Sequence, residues 1–515
     1  MLRKKLSCFI AAAGMLSFGA ASYGTTIHVA QGTLSGSSAD GVDSYLGVPY
    51  AAAPVGSKRW RMPSPVPAWQ GVRSATQFAR SCEQDISDGF GPYTSEYMVP
   101  KGVSEDCLYL NIWRPSKRSS TPLPIMVWIP GGGFTSGSGS VPIYNGAPMA
   151  SRDVVVININ YRLGVFGFLA HPELTKQGQG SGNFGFADVI AALEWVKENA
   201  AALGGDGNRI TLAGQSAGSM AIHDMIASPA AKNLFAQVIS QSGPGMGRPP
   251  MSLAEAETIG QQLLKAAKVS SIAELRELPA DQVRQAEKSL GPGLLRFAPV
   301  IDGDLIPHDP YNNAEGSYAD TPILAGMNAD ESFSLPAEDL PALRAELTAM
   351  YGGMTDQVDA LYSTQATSDP RSTAREIRRD RGLASTWLWA AGRAQSSRQP
   401  IYLYLFAHVE PGTEQWGAFH TSEVPYALGN LSVPTARVFS DKDKRVSDQM
   451  LGYWENFVKT GNPNKSGLPL WAEFDIDNPL MMRLDSNPRM QSMLPSHKRR
   501  FYEQFITRGG QLSLF

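Results

Sequence analysis

Apolar and polar positions change period repeatedly along the first half of the chain. Cys107 to Trp113 alternates, as a strand with one covered face does. Pro124 to Ile129 and Asp153 to Ile159 are nearly continuous apolar runs of strand length, the pattern of strands buried on both faces. Phe184 to Leu203 has helical spacing, with Ile190, Leu193, Trp195 and Val196 among its apolar positions, and stops at Gly204-Gly205. Arg209 to Ala213 is strand-like again, Ser219 to Ala227 can be helical, and Phe235 to Ser240 is a further strand. Strands alternating with helices predict βαβ units, an α/β fold with a mostly parallel sheet. Thr321 to Gly326 and Ile401 to Phe406 predict two more strands, and Ser447 to Lys459 a last amphipathic helix. Leu253 to Leu290 and Leu335 to Ser397 are helical and charge-rich, which suggests insertions covering one end of the sheet. Residues 25 to 75 read as short strands and turns, because the Pro-rich Met62 to Pro67 cannot be helix interior. No internal repeat, low-complexity tract or long linker divides the chain, so residues 23–515 are expected to form one domain.

Composition narrows the class. Of 515 residues, 43% are hydrophobic and 18% charged, enough apolar material for a large core. A formal net charge of −3 and the lack of a basic cluster with interleaved aromatics argue against nucleic acid as a partner. Residues 1–22 read as an export signal: Arg3, Lys4 and Lys5 precede the apolar Leu6 to Leu16, and Gly19 to Ser22 offers small residues for cleavage. The apolar run is too short to span a bilayer, and Cys8 lies near its start rather than after it, so no membrane anchor is expected in the mature chain. The implied location is periplasmic or secreted. Cys82 and Cys107 remain after removal of the signal, and an even pair in an exported chain predicts a disulfide, with two buried free thiols as the alternative. Such a bond would close a loop of about 25 residues and contribute roughly 3 kcal/mol. The enclosed Glu83 to Asp106, with Phe90, Tyr93 and Tyr97, reads as a tied-down surface loop able to meet a substrate.

Candidate chemistry begins at Gly214-Gln215-Ser216-Ala217-Gly218, between the Arg209 strand and the Ser219 helix. Strand, tight turn and helix are the setting of a nucleophile elbow, in which glycines permit the turn and Ser216 projects its hydroxyl. The helix start aims backbone N–H groups at the same point, and the small Ala217 lets its N–H approach an oxyanion. Alone the motif is a Gly-Ser turn that chance also produces. Pro130-Gly131-Gly132-Gly133-Phe134 directly follows an apolar strand and could supply the other half of an oxyanion hole. A phosphate-binding loop does not fit there, since no Gly-Lys-Ser/Thr follows. The order serine, acid, histidine leaves His308, His408, His420 and His497 as bases. His420 lies in a loop after the last strand and is favoured; His497 sits in a charged run, His408 ends an apolar strand and His308 precedes the best acid. For that acid, spacing alone leaves both Asp330 and Glu331 open.

Several ordered segments resemble the type-B carboxylesterases, the group of bacterial para-nitrobenzyl esterases, mammalian carboxylesterases and cholinesterases. They are Ser104 to Asn111, Gly131 to Phe134, Asn158 to Gly164 with Phe166 to Leu169, Gly204 to Asp206, the elbow, and Gln241 to Gly243. The resemblance runs from about residue 25 to the C-terminus. It implies an α/β-hydrolase fold, a triad of Ser216, Glu331 and His420, oxyanion donors at Gly132, Gly133 and Ala217, and a Cys82–Cys107 disulfide. No metal or organic cofactor is implied, and the partner is a small-molecule ester. The resemblance therefore points to an exported serine esterase working through an acyl-enzyme. A non-catalytic adhesion protein on the same fold, or a hydrolase of amides, carbamates or toxin side-chain esters, are the alternatives. One position departs from the family: Gln215 stands where Glu is usual. With Gln215 neutral and no tryptophan between Cys82 and Cys107, a quaternary-ammonium substrate is not expected.

Overall fold

The structure, a computed structural model, describes residues 23–178, 180–243, 249–293, 295–311 and 319–513. The expected export segment lies outside them. Fifteen strands are present in the described residues: β1 (Tyr23–Val29), β2 (Gly32–Ala39), β3 (Val42–Pro49), β4 (Val72–Ser74), β5 (Tyr109–Pro115), β6 (Leu123–Ile129), β7 (Val155–Ile159), β8 (Gly205–Gln215), β9 (Gln237–Gln241), β10 (Met251–Ser252), β11 (Val300–Ile301), β12 (Ile323–Asn328), β13 (Ile401–Phe406), β14 (Leu480–Leu484) and β15 (Arg489–Ser492). Thirteen of them form one sheet in the order β1-β2-β3-β5-β7-β6-β8-β9-β12-β13-β14-β15, with β4 beside β2. From β7 to β14 every neighbour is parallel. The path β1-β2-β3-β5-β7 and the β14-β15 pair are antiparallel, while the short β4 runs parallel to β2. The continuous apolar runs explain the centre: all residues of β7, β12 and β13 are buried, as strands covered on both faces must be.

Several boundaries differ from the sequence expectation. The alternation in β5 predicts one open face, yet Leu110 to Arg114 are all buried. Its polar members are instead satisfied internally: Asn111 Oδ1 accepts the Gly47 N–H at 3.0 Å, and Arg114 pairs with Asp43 at 3.3 Å. The helix expected to reach Leu203 ends at Asn199, and β8 begins at Gly205 rather than Arg209, because Gly205 already pairs with Leu123. The last amphipathic helix starts six residues early, at Asp441, under a capping box between Ser440 and Asp443. Beyond it, β14, β15 and the helix Ser496–Thr507 carry no periodic signal strong enough to have been foreseen. Lys498, in a charged run that reads as solvated surface, is partly buried and bonds Glu376 and Asp380 at 2.6 Å each. The helices Leu253–Ala267, Ile272–Glu277 and Ala280–Ser289, and later Leu340–Tyr351, Thr355–Tyr362 and Pro370–Ser396, fall within the two expected insertions.

Below the carboxyl ends of the central strands, Arg162 and Asp188 fix the chain segment that follows β7. Asp188 is fully buried on the helix Phe184–Asn199. Arg162 meets it with Nε and Nη2 at 2.7 Å each, and the Arg162 N–H adds a third bond at 3.0 Å. A planar guanidinium matched to both carboxylate oxygens is geometrically specific. Removing one member strands the other charge in the core. Asp188→Ala is therefore expected to lower the unfolding free energy by about 3–5 kcal/mol, measured by urea denaturation of the two proteins.

Candidate active site

Ser216 follows directly on the last residue of β8 and caps the helix Ala217–Ala227. Its backbone sits at φ 57°, ψ −126°, a conformation costly for any residue with a Cβ. Two restraints hold it there. The Ser216 N–H donates to the Gln241 carbonyl at the end of β9, at 2.9 Å. The helix start packs against the end of β6 so tightly that a Cβ on Gly218 would overlap the Ile129 carbonyl. Gly218 has to be glycine for that reason alone.

The Gly131 to Gly133 loop leaves β6 and turns beside Ser216. Gly132 has φ +114°, which L side chains rarely adopt. Among the described residues, the N–H groups of Gly132, Gly133 and Ala217 donate to no protein acceptor. All three residues line one cavity of about 460 Å³ together with Ser216 and His420. Three uncommitted donors around one point can receive an oxygen that gains negative charge.

His420 is 3% exposed, in the loop after β13. Glu331 follows β12, and its Oε2 lies 2.5 Å from His420 Nδ1. Of the two carboxylates that spacing leaves open, Glu331 is the one that meets the histidine. Asp330 turns the other way, its Oδ2 accepting the Ala418 N–H at 3.0 Å, and so ties the end of β12 to the histidine loop. The second Glu331 oxygen accepts the Ser242 hydroxyl and the Asn328 N–H at 2.6 Å each, which fixes the carboxylate rotamer. The other histidines do not approach this point. His408 Nε2 meets Asp443 at 2.7 Å as a structural pair, and His308 lies by the Asp309 carbonyl at 3.2 Å. His497 is exposed.

Gln215 reaches His420 directly. Its Nε2 lies 3.0 Å from His420 Nε2. With Nδ1 donating to Glu331, Nε2 of a neutral ring is an acceptor, and an amide N–H fits it. A Glu at this position could offer no such donor.

The loop between the cysteines forms one wall of the cavity. Cys82 and Cys107 are bonded as a disulfide. Phe90, Tyr93 and Tyr97 line the cavity, and the Tyr93 hydroxyl donates to the His420 carbonyl at 2.9 Å. Tyr97 donates to the fully buried Glu410 at 2.5 Å, and Glu410 is ion-paired with Arg437. Sequence reasoning found this wall. It missed Phe333 and Leu295 on other walls, which come from irregular segments with no pattern to read.

It also gave Glu423 no part of its own. This carboxyl is fully buried, and accepts Gln241 Nε2 at 3.0 Å and Asn328 Nδ2 at 2.6 Å. Burial first, and the neighbouring Glu331 charge second, push it up to about 7.

A strained serine turn at the end of a central parallel strand, with Glu331 and His420 in loops after later strands, is the arrangement of an α/β-hydrolase. The model of the "Carboxylesterase family" matches residues 24–502. The chain belongs to that family. It is 35% identical over 477 residues to the "Fumonisin B1 esterase" of Sphingopyxis macrogoltabida, covering 88% of this chain and 85% of that protein. It is 34% identical over 490 residues to the "Para-nitrobenzyl esterase" of Bacillus subtilis (strain 168), covering 91% and 96%. A solved PNB esterase superposes with a TM-score of 0.78 at 31% identity, covering 92% of this chain and 99% of that one. The protein is thus a carboxylic ester hydrolase by family, and no helix among the described residues is long and apolar enough to cross a membrane.

Glu423 makes the site's stability depend on pH. Its folded value lies above the ordinary 4.5, so its share of stability is whole below about 4.5 and is lost as pH rises through about 7. Glu423→Gln removes this dependence. Relative to the variant, the wild type should lose on the order of 3 kcal/mol between pH about 4.5 and 8, read from urea midpoints across that range.

Proposed function

We propose that the protein is an exported serine carboxylesterase, in which Ser216 is the nucleophile, His420 the base and Glu331 the acid that orients it. Ser216 attacks the ester carbonyl as His420 Nε2 takes its proton. The imidazolium that forms is stabilised by Glu331 through Nδ1. The N–H groups of Gly132, Gly133 and Ala217 hold the oxyanion. His420 then returns the proton to the leaving alcohol, and later activates the water that releases the acyl group. The observation that carries this reading is the Glu331–His420 pair at 2.5 Å beside three uncommitted N–H donors and a strained serine in one cavity. A relative that bears the name of fumonisin B1 makes that toxin an ester to include among test substrates. Export rests on the N-terminal charge and apolar pattern and on the disulfide, which oxidising compartments favour. Residues 23–515 are proposed as the single mature domain.

In this mechanism Gln215 holds His420 Nε2 in the resting enzyme and yields it to the Ser216 proton during turnover. A neutral amide places no charge beside the ring.

Ser216→Ala is expected to lower kcat for a short-chain nitrophenyl ester by a factor on the order of 10⁵–10⁶, and to abolish labelling by a fluorophosphonate probe. Retained labelling would return the protein to the non-catalytic alternative. Gln215→Glu places a carboxylate against Nε2, which favours the protonated ring. The acidic limb of kcat/KM against pH should move up by about one to two pH units, with kcat at alkaline pH little altered.

A further inference from the structure

A second cavity, of about 200 Å³, lies beside the catalytic one. Met220 and Leu295 line both and form the partition. Met220 stands one helical turn beyond Ser216, and an unbranched thioether side chain changes rotamer readily. The remaining walls are mainly apolar, among them Phe134, Ile259 and Ala298.

Two polar groups interrupt these walls. Asp224, one further turn along the same helix, is 3% exposed. Its carboxyl has no hydrogen bond or ion pair among the described residues. The Tyr311 hydroxyl is buried and also without a hydrogen-bond partner among the described residues. Their neighbours are committed elsewhere. Arg296, the one cation among the described lining residues, gives its Nη atoms to the Gly291 and Pro292 carbonyls at 2.7 and 2.9 Å. His223 bonds Ser240 at 2.9 Å, and its ring packs on Tyr311 with centroids 5.3 Å apart. Burial foremost, and then the charge of Asp309, hold the Asp224 carboxyl well above the usual range. Proteins rarely bury a carboxyl and a phenol without partners, because each forfeits its bonds to water. Asp224 and Tyr311 both line this cavity, and Met220 and Leu295 stand between it and the candidate nucleophile's chamber, so a partner would reach them from there once the Met220 side chain turns.

We propose that this cavity is a subsite for an apolar substrate arm carrying a hydroxyl, which bonds Asp224 and Tyr311 together. A hydroxyl can donate to one and accept from the other, whichever of the two carries its proton. A carboxylate or ammonium arm would be costlier to strip of water between these mainly apolar walls, and an ammonium could not accept from Tyr311. The subsite rests on the reading of Ser216 as the nucleophile.

The test compares nitrophenyl hexanoate with nitrophenyl 6-hydroxyhexanoate, and hexyl with 6-hydroxyhexyl nitrobenzoate, so that both sides of the ester are probed. In at least one pair the wild type is expected to prefer the hydroxylated ester about tenfold in kcat/KM, the size of one or two buried hydrogen bonds. Asp224→Leu should bring that ratio to one or below, and Tyr311→Phe should reduce it by several-fold. Wild-type ratios at or below one in both pairs overturn the proposal, as does a ratio that neither variant moves. If Asp224→Leu does not fold, Tyr311→Phe is read by the same criterion. Nitrophenyl acetate turnover by the wild type separates the two failures: its loss would sink the serine mechanism, whereas its presence with no hydroxyl preference sinks only the subsite.

Discussion

The ends of β6, β8 and β9 meet at a point where there is no room for side chains, and the backbone strain at Ser216 is what that crowding maintains. The Ile129 carbonyl leaves no space for a Cβ at Gly218, and the Gln241 carbonyl accepts the Ser216 N–H at 2.9 Å. Each contact comes from a different strand of a parallel sheet, so the turn cannot relax without separating strands in the core. Strain of this kind persists only where surrounding structure over-determines it. The glycine loop after β6 is part of the same knot, since a Cβ on Gly131 would stand 2.5 Å from the Gln215 carbonyl. The uncommitted N–H groups are aimed by the backbone path itself, with no side chain to place them.

The acid side of the site is held by a different device. Glu331 and Glu423 are both buried, and neither has an Arg or Lys partner among the described ion pairs. Neutral donors do the holding: Ser242 and Asn328 N–H for Glu331, Gln241 and Asn328 amides for Glu423. A cation there would compete with His420 for Glu331. Two carboxylates among neutral donors leave the imidazolium as the natural recipient of negative potential, because like charges so close favour whatever neutralises one of them. Asn328 serves both carboxylates and also donates to the Phe419 carbonyl at 2.7 Å, which ties Glu331 to the loop carrying His420.

What could be read in advance follows the range of the forces involved. The strands β6, β7, β12 and β13 were legible because burial on both faces demands continuous apolar residues. The elbow and glycine loop were legible because close backbone approach admits only glycine. His420 could be favoured over His308, His408 and His497 on chain order and placement. Glu331 could not be separated from Asp330 by spacing, since both lie at the same strand end and only tertiary direction distinguishes them. Glu423 was passed over and Ser242 appeared only as a neighbour in a motif, because a buried polar group is recognised by its partners, and those come from distant strands. The early helix start at Asp441 was hidden because a capping box is polar and leaves no apolar period, and the burial of Lys498 because charge alone suggests solvent. Leu295 and Phe333 belong to irregular segments whose course only the folded chain reveals.

The Cys82–Cys107 bond has a meaning beyond anchoring a loop. The tethered segment delivers Tyr93, whose hydroxyl grips the backbone of the residue proposed as base, at 2.9 Å. Assembly of that wall is thus tied to an oxidant outside the polypeptide. Chains retained among cytosolic reductants would carry every candidate residue and still lack the staple behind His420. Under the proposed export, competence would mature with passage out of the cell's interior, and a newly made hydrolase would be restrained by geography while it is still surrounded by the cell's own esters.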